Sequence, residues 1–253
     1  MKVIVLSSGS KGNTTYIESG DTKILIDIGN SCKYVKDKLD TIGVEAKDID
    51  AIFLTHTHAD HIKGLKVFTK RFKTKVYLTK GMLEDLDYIE NYSIIDNKII
   101  ELKDIVLDII KTSHDAKDPV GYVVNADDKS IVYITDTGYI NQKYYDILSN
   151  RDIYIMESNH DIEMLNNGSY PFHLRQRILG DKGHLSNYDS AKYLSTFLGN
   201  KTKYIVLAHL SEENNTKDLA YNTLKERLDN NNQNVDKIII AAQNEETEML
   251  EVW

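Results

Sequence analysis

The sequence predicts an α/β (α+β) fold in which helices cover mixed β-sheets, and three observations predict it. Short apolar, β-branched segments recur along the whole chain. Some neighbours are joined by tight-turn signals and others by stretches with helical spacing. Antiparallel and parallel pairings are therefore both expected, which argues against a purely parallel doubly wound sheet. No Ser/Gly tract, long charge block or short-period repeat breaks the alternation, and residues 1–253 read as one domain.

In the first half, residues 3–6 and 14–18 are β-rich, and 23–28 alternate before ending at Asp27-Ile28-Gly29. Val35, Leu39 and Ile42 recur at helical spacing, with Gly43 as the C-cap. Residues 51–55 read as a short buried strand, a helix starts near His61, and 76–79 form another strand. In the second half, 106–111 and 121–125 are strands, and Asp127-Asp128 turns the chain into a strand over 130–135. Strands over 152–157, 203–208 and 235–241 alternate with helices over 186–198 and 217–228. Ser186 or Asn187 caps the first of these helices.

Composition narrows the function classes. The 253 residues are 41% hydrophobic and 28% charged, which is ordinary for a globular domain. Lys plus Arg is 31 against 39 for Asp plus Glu, a net charge of -8, which excludes a basic coat for non-specific nucleic-acid binding but not a local basic groove. A single cysteine, Cys32, excludes an internal disulfide framework and a cysteine-rich zinc module. No apolar run approaches the roughly 20 residues of a membrane span. The N-terminal Val3-Ile4-Val5-Leu6 run reads as a strand and not as a signal peptide. The expectation is a cytoplasmic protein with no membrane partner.

Thr55-His56-Thr57-His58-Ala59-Asp60-His61 follows an apolar strand and packs ligating side chains densely. Imidazole and carboxylate are donors that divalent Zn, Mn and Fe accept. Alternate positions of an extended turn point the same way, so His56 and His58 can clasp one ion, while Asp60 and His61, at the turn into a helix, can face a second. As a mere solvated loop, these side chains would repel one another when protonated. Further candidates, His114, Asp136 and His209, each sit just past an apolar strand, where a sheet delivers side chains to one edge.

The order His-x-His-x-Asp-His, followed by His114, Asp136 and His209, resembles the metallo-β-lactamase superfamily over nearly the whole chain. The resemblance implies a four-layer αββα sandwich with a dinuclear metal site at one edge of the paired mixed sheets. It implies that His56, His58 and His114 hold one metal, that Asp60, His61 and His209 hold the second, and that Asp136 bridges them. The segments Ser7-Ser8-Gly9-Ser10-Lys11-Gly12-Asn13, Glu157-Ser158-Asn159-His160-Asp161, Gly183-His184-Leu185-Ser186-Asn187 and Ala208-His209-Leu210-Ser211 are similar to the YycJ/WalJ branch, which implies a DNA-processing exonuclease. That branch often has Glu where this chain has Thr57, a position outside the implied ligand set. The spacing from Asp136 to His209 is too short for an inserted second domain of the β-CASP type. Asp136 stands where a true β-lactamase has its cysteine ligand, which disfavours antibiotic hydrolysis.

Two neighbouring divalent metals suit phosphodiester hydrolysis, with Asp60 and Asp136 orienting the attacking water. His184, in a loop before a helix N-terminus, is the candidate general acid or phosphate contact. Asn159 and His160, after a strand, are candidate phosphate or base contacts, as is Ser10 in its small-residue loop. Asp161 either orients His160 or caps the next helix, and Glu157 is a buried carboxylate or a partner to a metal ligand. Arg175, Arg177 and Lys182 make a basic stretch that either grips a backbone or is a solvated helix face. The expectation is a nuclease acting on DNA from the 5′ end. A small-molecule hydrolase of a thioester, lactone or cyclic phosphodiester would use the same centre. A non-catalytic recognition module would show eroded ligands, and these are intact.

Overall fold

Strand and helix choice follows local chemistry along the chain, which a computed structural model describes over residues 1–96 and 99–253. The first sheet contains β1 (Lys2–Ser7), β2 (Thr14–Ser19), β3 (Thr22–Ile26), β4 (Ala51–Phe53), β5 (Lys75–Leu78) and β6 (Tyr92–Ile94), with β14 (Leu250–Glu251) at its edge. Its order is β14-β1-β2-β3-β4-β5-β6. Pairing is antiparallel from β14 to β3 and parallel from β3 to β6. The second sheet contains β7 (Ile99–Leu102), β8 (Ile105–Lys111), β9 (Val120–Ala126), β10 (Lys129–Ile134), β11 (Ile153–Glu157), β12 (Tyr204–Ala208) and β13 (Lys237–Ile240) in the order β13-β12-β11-β10-β9-β8-β7. It too is antiparallel as far as β10 and parallel beyond it.

Helices α1 (Cys32–Thr41), α2 (Ala59–Ile62) and α3 (Leu65–Phe72) belong to the first half. The second has α4 (Tyr145–Leu148), α5 (Ile162–Asn167), α6 (Phe172–Leu179), α7 (Asn187–Phe197) and α8 (Lys217–Asn230). Side-chain alternation fixes the layers. Ile131, Tyr133, Ile153 and Ile155 face the core between the sheets, which continues through the first sheet to Val35, Leu39 and Phe68 of α1 and α3. Their neighbours Val132, Ile134, Tyr154 and Met156 face outward to Leu194 and Phe197 of α7 and Leu224 of α8. The result is the αββα sandwich. No described helix is long and apolar enough to cross a membrane.

Capping matches the sequence. Gly43 adopts φ 74, and the N–H groups of Gly43 and Val44 close α1 onto Asp40 and Leu39. Ser186 caps α7 by accepting from the Asp189 N–H at 3.0 Å. The differences are local. The strand expected over 23–28 ends at Ile26, because Asp27 turns left-handed at φ 59. The helix near His61 is two short pieces broken at Gly64, where a Cβ would lie 2.2 Å from the Asn30 carbonyl. The marginal elements β6, β7, β14 and α4–α6 carry too little periodicity to stand out in the sequence.

Candidate metal centre

The C-terminal ends of β4, β8, β10, β11 and β12 converge at one edge of the sandwich. After β4 the chain passes through His56 and His58 into α2, which carries Asp60 and His61. The second sheet contributes singly: His114 past β8, Asp136 past β10, Glu157 at the end of β11 and His209 past β12. His184 comes from the loop before α7.

Among the described residues four overlapping donor groups form: His56, His58 and His114; Asp60, His61 and His209; His56, His61 and Asp136; and Asp136, Glu157, His184 and His209. His56, His58 and His114 lie together, with ring centroids 4.6–5.1 Å apart. Asp60 Oδ2 is 3.5 Å from Nε2 of both His61 and His209. Asp136 sits between the first two groups: Oδ2 is 3.2 Å from His61 Nε2, and Oδ1 is 3.5 Å from His209 Nε2 and 3.8 Å from His114 Nε2. His56 Nε2, His209 Nε2 and Asp136 Oδ2 are buried with no hydrogen-bond partner among the described residues. Orphaned buried polar atoms are costly, and a divalent cation is the partner this donor set fits.

The surrounding residues aim the imidazoles inward. Asp27 accepts from His61 Nδ1 at 2.7 Å and from the Thr55 N–H and hydroxyl at 2.8 and 2.7 Å. Thr55 Oγ1, its proton given to Asp27, accepts from His56 Nδ1 at 3.1 Å. The Gly183 carbonyl takes His114 Nδ1 at 3.1 Å, and Glu157 Oε1 takes His209 Nδ1 at 3.1 Å. Each bond assigns the ring proton to Nδ1 and leaves Nε2 facing the centre. Asn13 donates through Nδ2 to Asp60 Oδ2 at 3.2 Å and lies 3.0 Å from His61 Nε2.

Electrostatics follow from this crowding. Burial alone would raise Asp60, but the imidazoles of His209 and His61, each 3.5 Å from Oδ2, hold it below the usual carboxylate range. Burial alone would lower His209, yet Asp136, Asp60 and Glu157 push it up to about 10. His56 is driven well below its ordinary value by burial and then by the neighbouring His61. Asp27, Asp136 and His209 all adopt left-handed backbone, at φ 59, 55 and 56. For non-glycine residues such strain clusters at functional sites.

A cleft opens over the centre, with His184, Asn159 and Ser10 in its wall. His184 Nδ1 is 2.6 Å from Glu157 Oε1, whose Oε2 accepts from the N–H groups of Thr137 and Leu185 at 3.0 and 3.1 Å. Burial alone would raise Glu157, but His184 and His209 pull it down to about 2. Its part exceeds the one expected from the sequence. His160 departs from expectation in the other direction: it is 1% exposed and off the cleft, pinned by a backbone bridge to Ser186. It therefore cannot meet a substrate directly. Asp161 caps α5 through the Met164 N–H at 2.8 Å. Thr57 turns away from the centre and donates to Asp85 at 2.7 Å. Arg177 reaches the cleft and pairs with Asp115, whereas Arg175 donates to the Asn166 carbonyl. Asp27 and Asn13 were not expected as site residues. The only hint of Asp27 in the sequence is a lone carboxylate where an alternating strand stops.

Comparison with known proteins agrees with the geometry. The metallo-beta-lactamase superfamily profile matches residues 8–209. The chain belongs to the metallo-β-lactamase superfamily. Within that superfamily it is 41% identical to the exodeoxyribonuclease WalJ of Streptococcus pneumoniae, over 90% of this chain and 88% of the relative. It is 34% identical to the exodeoxyribonuclease YycJ of Bacillus anthracis, over 89% and 88% of the two chains. These identities place it in the WalJ/YycJ-like branch. The metallo-β-lactamase fold protein YhfI of Bacillus subtilis superposes with a TM-score of 0.75 over 97% of this chain and 98% of its own, at 18% identity, a likeness of fold alone.

Proposed function

We propose that this superfamily member is a metal-dependent nuclease that degrades DNA from the 5′ end. The observation that carries this reading is its identity, over nine-tenths of the chain, to proteins named exodeoxyribonucleases. The donor set supports two divalent ions, Zn, Mn or Fe, with His56, His58 and His114 holding one, Asp60, His61 and His209 the other, and Asp136 shared. Bound there, such ions supply Lewis-acid polarisation of a phosphoryl oxygen and a lowered pKa for water. Asp60 and Asp136 orient the attacking water. Glu157 holds Nδ1 of His184 and leaves Nε2 for the substrate, so His184 gives a proton to the departing oxygen or contacts the phosphate. Asn159 steadies His209, donating to its carbonyl at 2.9 Å, and Ser10 lines the same cleft.

The test is a manganese-loaded preparation incubated with 5′-phosphorylated, 3′-labelled single-stranded DNA, with Asp60→Ala as control. Mononucleotides and progressively shortened labelled strands are expected from the parent protein and not from the variant. Intact DNA with a metal-replete parent would contradict the nuclease reading, and thioesters and cyclic phosphodiesters would be the next substrates.

A further inference from the structure

The cleft has two unlike lobes that meet at His58 and His114. One, of about 240 Å³, lies over the donors Asp60, Asp136 and His209 and is bounded on one side by the apolar side chains Tyr170, Leu174, Ile178 and Leu210. Leu174, Arg177 and Ile178 recur at helical spacing, so a single face of α6 forms this wall. No residue of α6 is buried, and Arg177 ties the helix to Asp115 across the cleft. The other lobe is wider, about 570 Å³, and its largest aliphatic side chain is Ala116. It carries the cations Lys117 and Lys182. Lys117 shares Asp85 at 2.8 Å and Glu84 at 3.1 Å, and Lys182 has no carboxylate partner among the described residues. Asp115 lines the wide lobe and Arg177 the narrow one, so their ion pair marks the boundary.

We propose that this division is a strand path: the nucleoside at the scissile end seats against α6, and the phosphates of the remaining strand run through the lobe of Lys117 and Lys182. The assignment rests on the nuclease reading and adds a direction to it. The apolar side formed by α6 suits a base and sugar. An open polar groove with cations suits a polyanionic backbone, whose binding is salt-dependent. The wall of α6 bounds the narrow lobe on one side, and a strand end seated against it is cleaved from its terminus.

The experiment compares a dinucleotide with a long single strand, on metal-loaded parent, Lys117→Gln/Lys182→Gln and Ile178→Trp proteins, with strand binding followed by fluorescence anisotropy across salt concentrations. The lysine variant should raise KM for the long strand about tenfold more than for the dinucleotide, and reduce the slope of log affinity against log salt by roughly 1–2. Ile178→Trp, which fills the narrow lobe, should slow both substrates alike with metal content and melting temperature retained. Equal losses on both substrates in the lysine variant, or an unaffected Ile178→Trp, would overturn the strand path. A parent protein that cleaves neither substrate, yet binds the strand with a lysine-dependent salt slope, would sink the nuclease reading and with it the scissile end of the path. Absence of strand binding would sink the path itself.

Discussion

The two sheets are built alike and supply the centre differently. Each begins as an antiparallel meander and continues as parallel strands, and in each the strand at the change of direction ends in a left-handed aspartate, Asp27 after β3 and Asp136 after β10. In the first sheet that aspartate stays behind the centre and holds His61, while one loop supplies His56, His58, Asp60 and His61. In the second sheet the aspartate faces the donors, and His114, Glu157 and His209 arrive on three separate strand ends. The first half therefore fixes its donors by local chain geometry. The second half depends on sheet register, and Glu157 secures it by gathering His184, His209 and the N–H groups of Thr137 and Leu185 on one carboxylate.

This contrast can be broken most sharply at the two supporting carboxylates. All four partners of Glu157 are donors, so Glu157→Gln must turn its amide hydrogens against two of them. Metal affinity or turnover should fall toward the hundredfold end of the roughly 10–100-fold range for such partners. Asp27→Asn loses the fit to Thr55 and His61 alone and should fall nearer tenfold. Metal titration and steady-state kinetics on both variants check this. Equal effects would mean that the halves are held together in the same way.

A smaller effect concerns the tie between the halves. Tyr122 of β9 donates to the buried Leu54 carbonyl, and the Val120 N–H donates to Thr55 at 2.9 Å, so the ligand loop hangs from the second sheet. Tyr122→Phe leaves the Leu54 carbonyl unpaired and should cost about 1–3 kcal/mol in equilibrium denaturation. Unchanged stability would mean that the Val120–Thr55 bond and packing hold the sheets at this edge without the tyrosine hydroxyl.

The same asymmetry explains what the sequence disclosed. The run from His56 to His61 concentrates donors that have no other use, so the first half of the centre is legible before any fold is known. His114, Asp136 and His209 gain meaning only as strand ends within a familiar order. Asp27, Asn13 and the full part of Glu157 were hidden, because a supporting residue is defined by what packs against it and not by spacing. His160 misled because its polar run follows a strand end much as the ligands do, yet its backbone bridge to Ser186 turns the ring into the interior. α6 shows in the sequence only as the basic stretch of Arg175 and Arg177, because it buries no residue and its short apolar pair, Leu174 and Ile178, faces the cleft and not the core.

In the proposed arrangement both halves hold metal at one shared edge. Metal content per chain, measured by mass spectrometry after loading with zinc or manganese, tests it most directly in the parent, His58→Ala and His209→Ala proteins. Two ions per parent chain and a weakened or lost ion in each variant are the expected result. A parent chain that takes up no metal, or a His209→Ala protein that keeps the full complement at parental affinity, would contradict it.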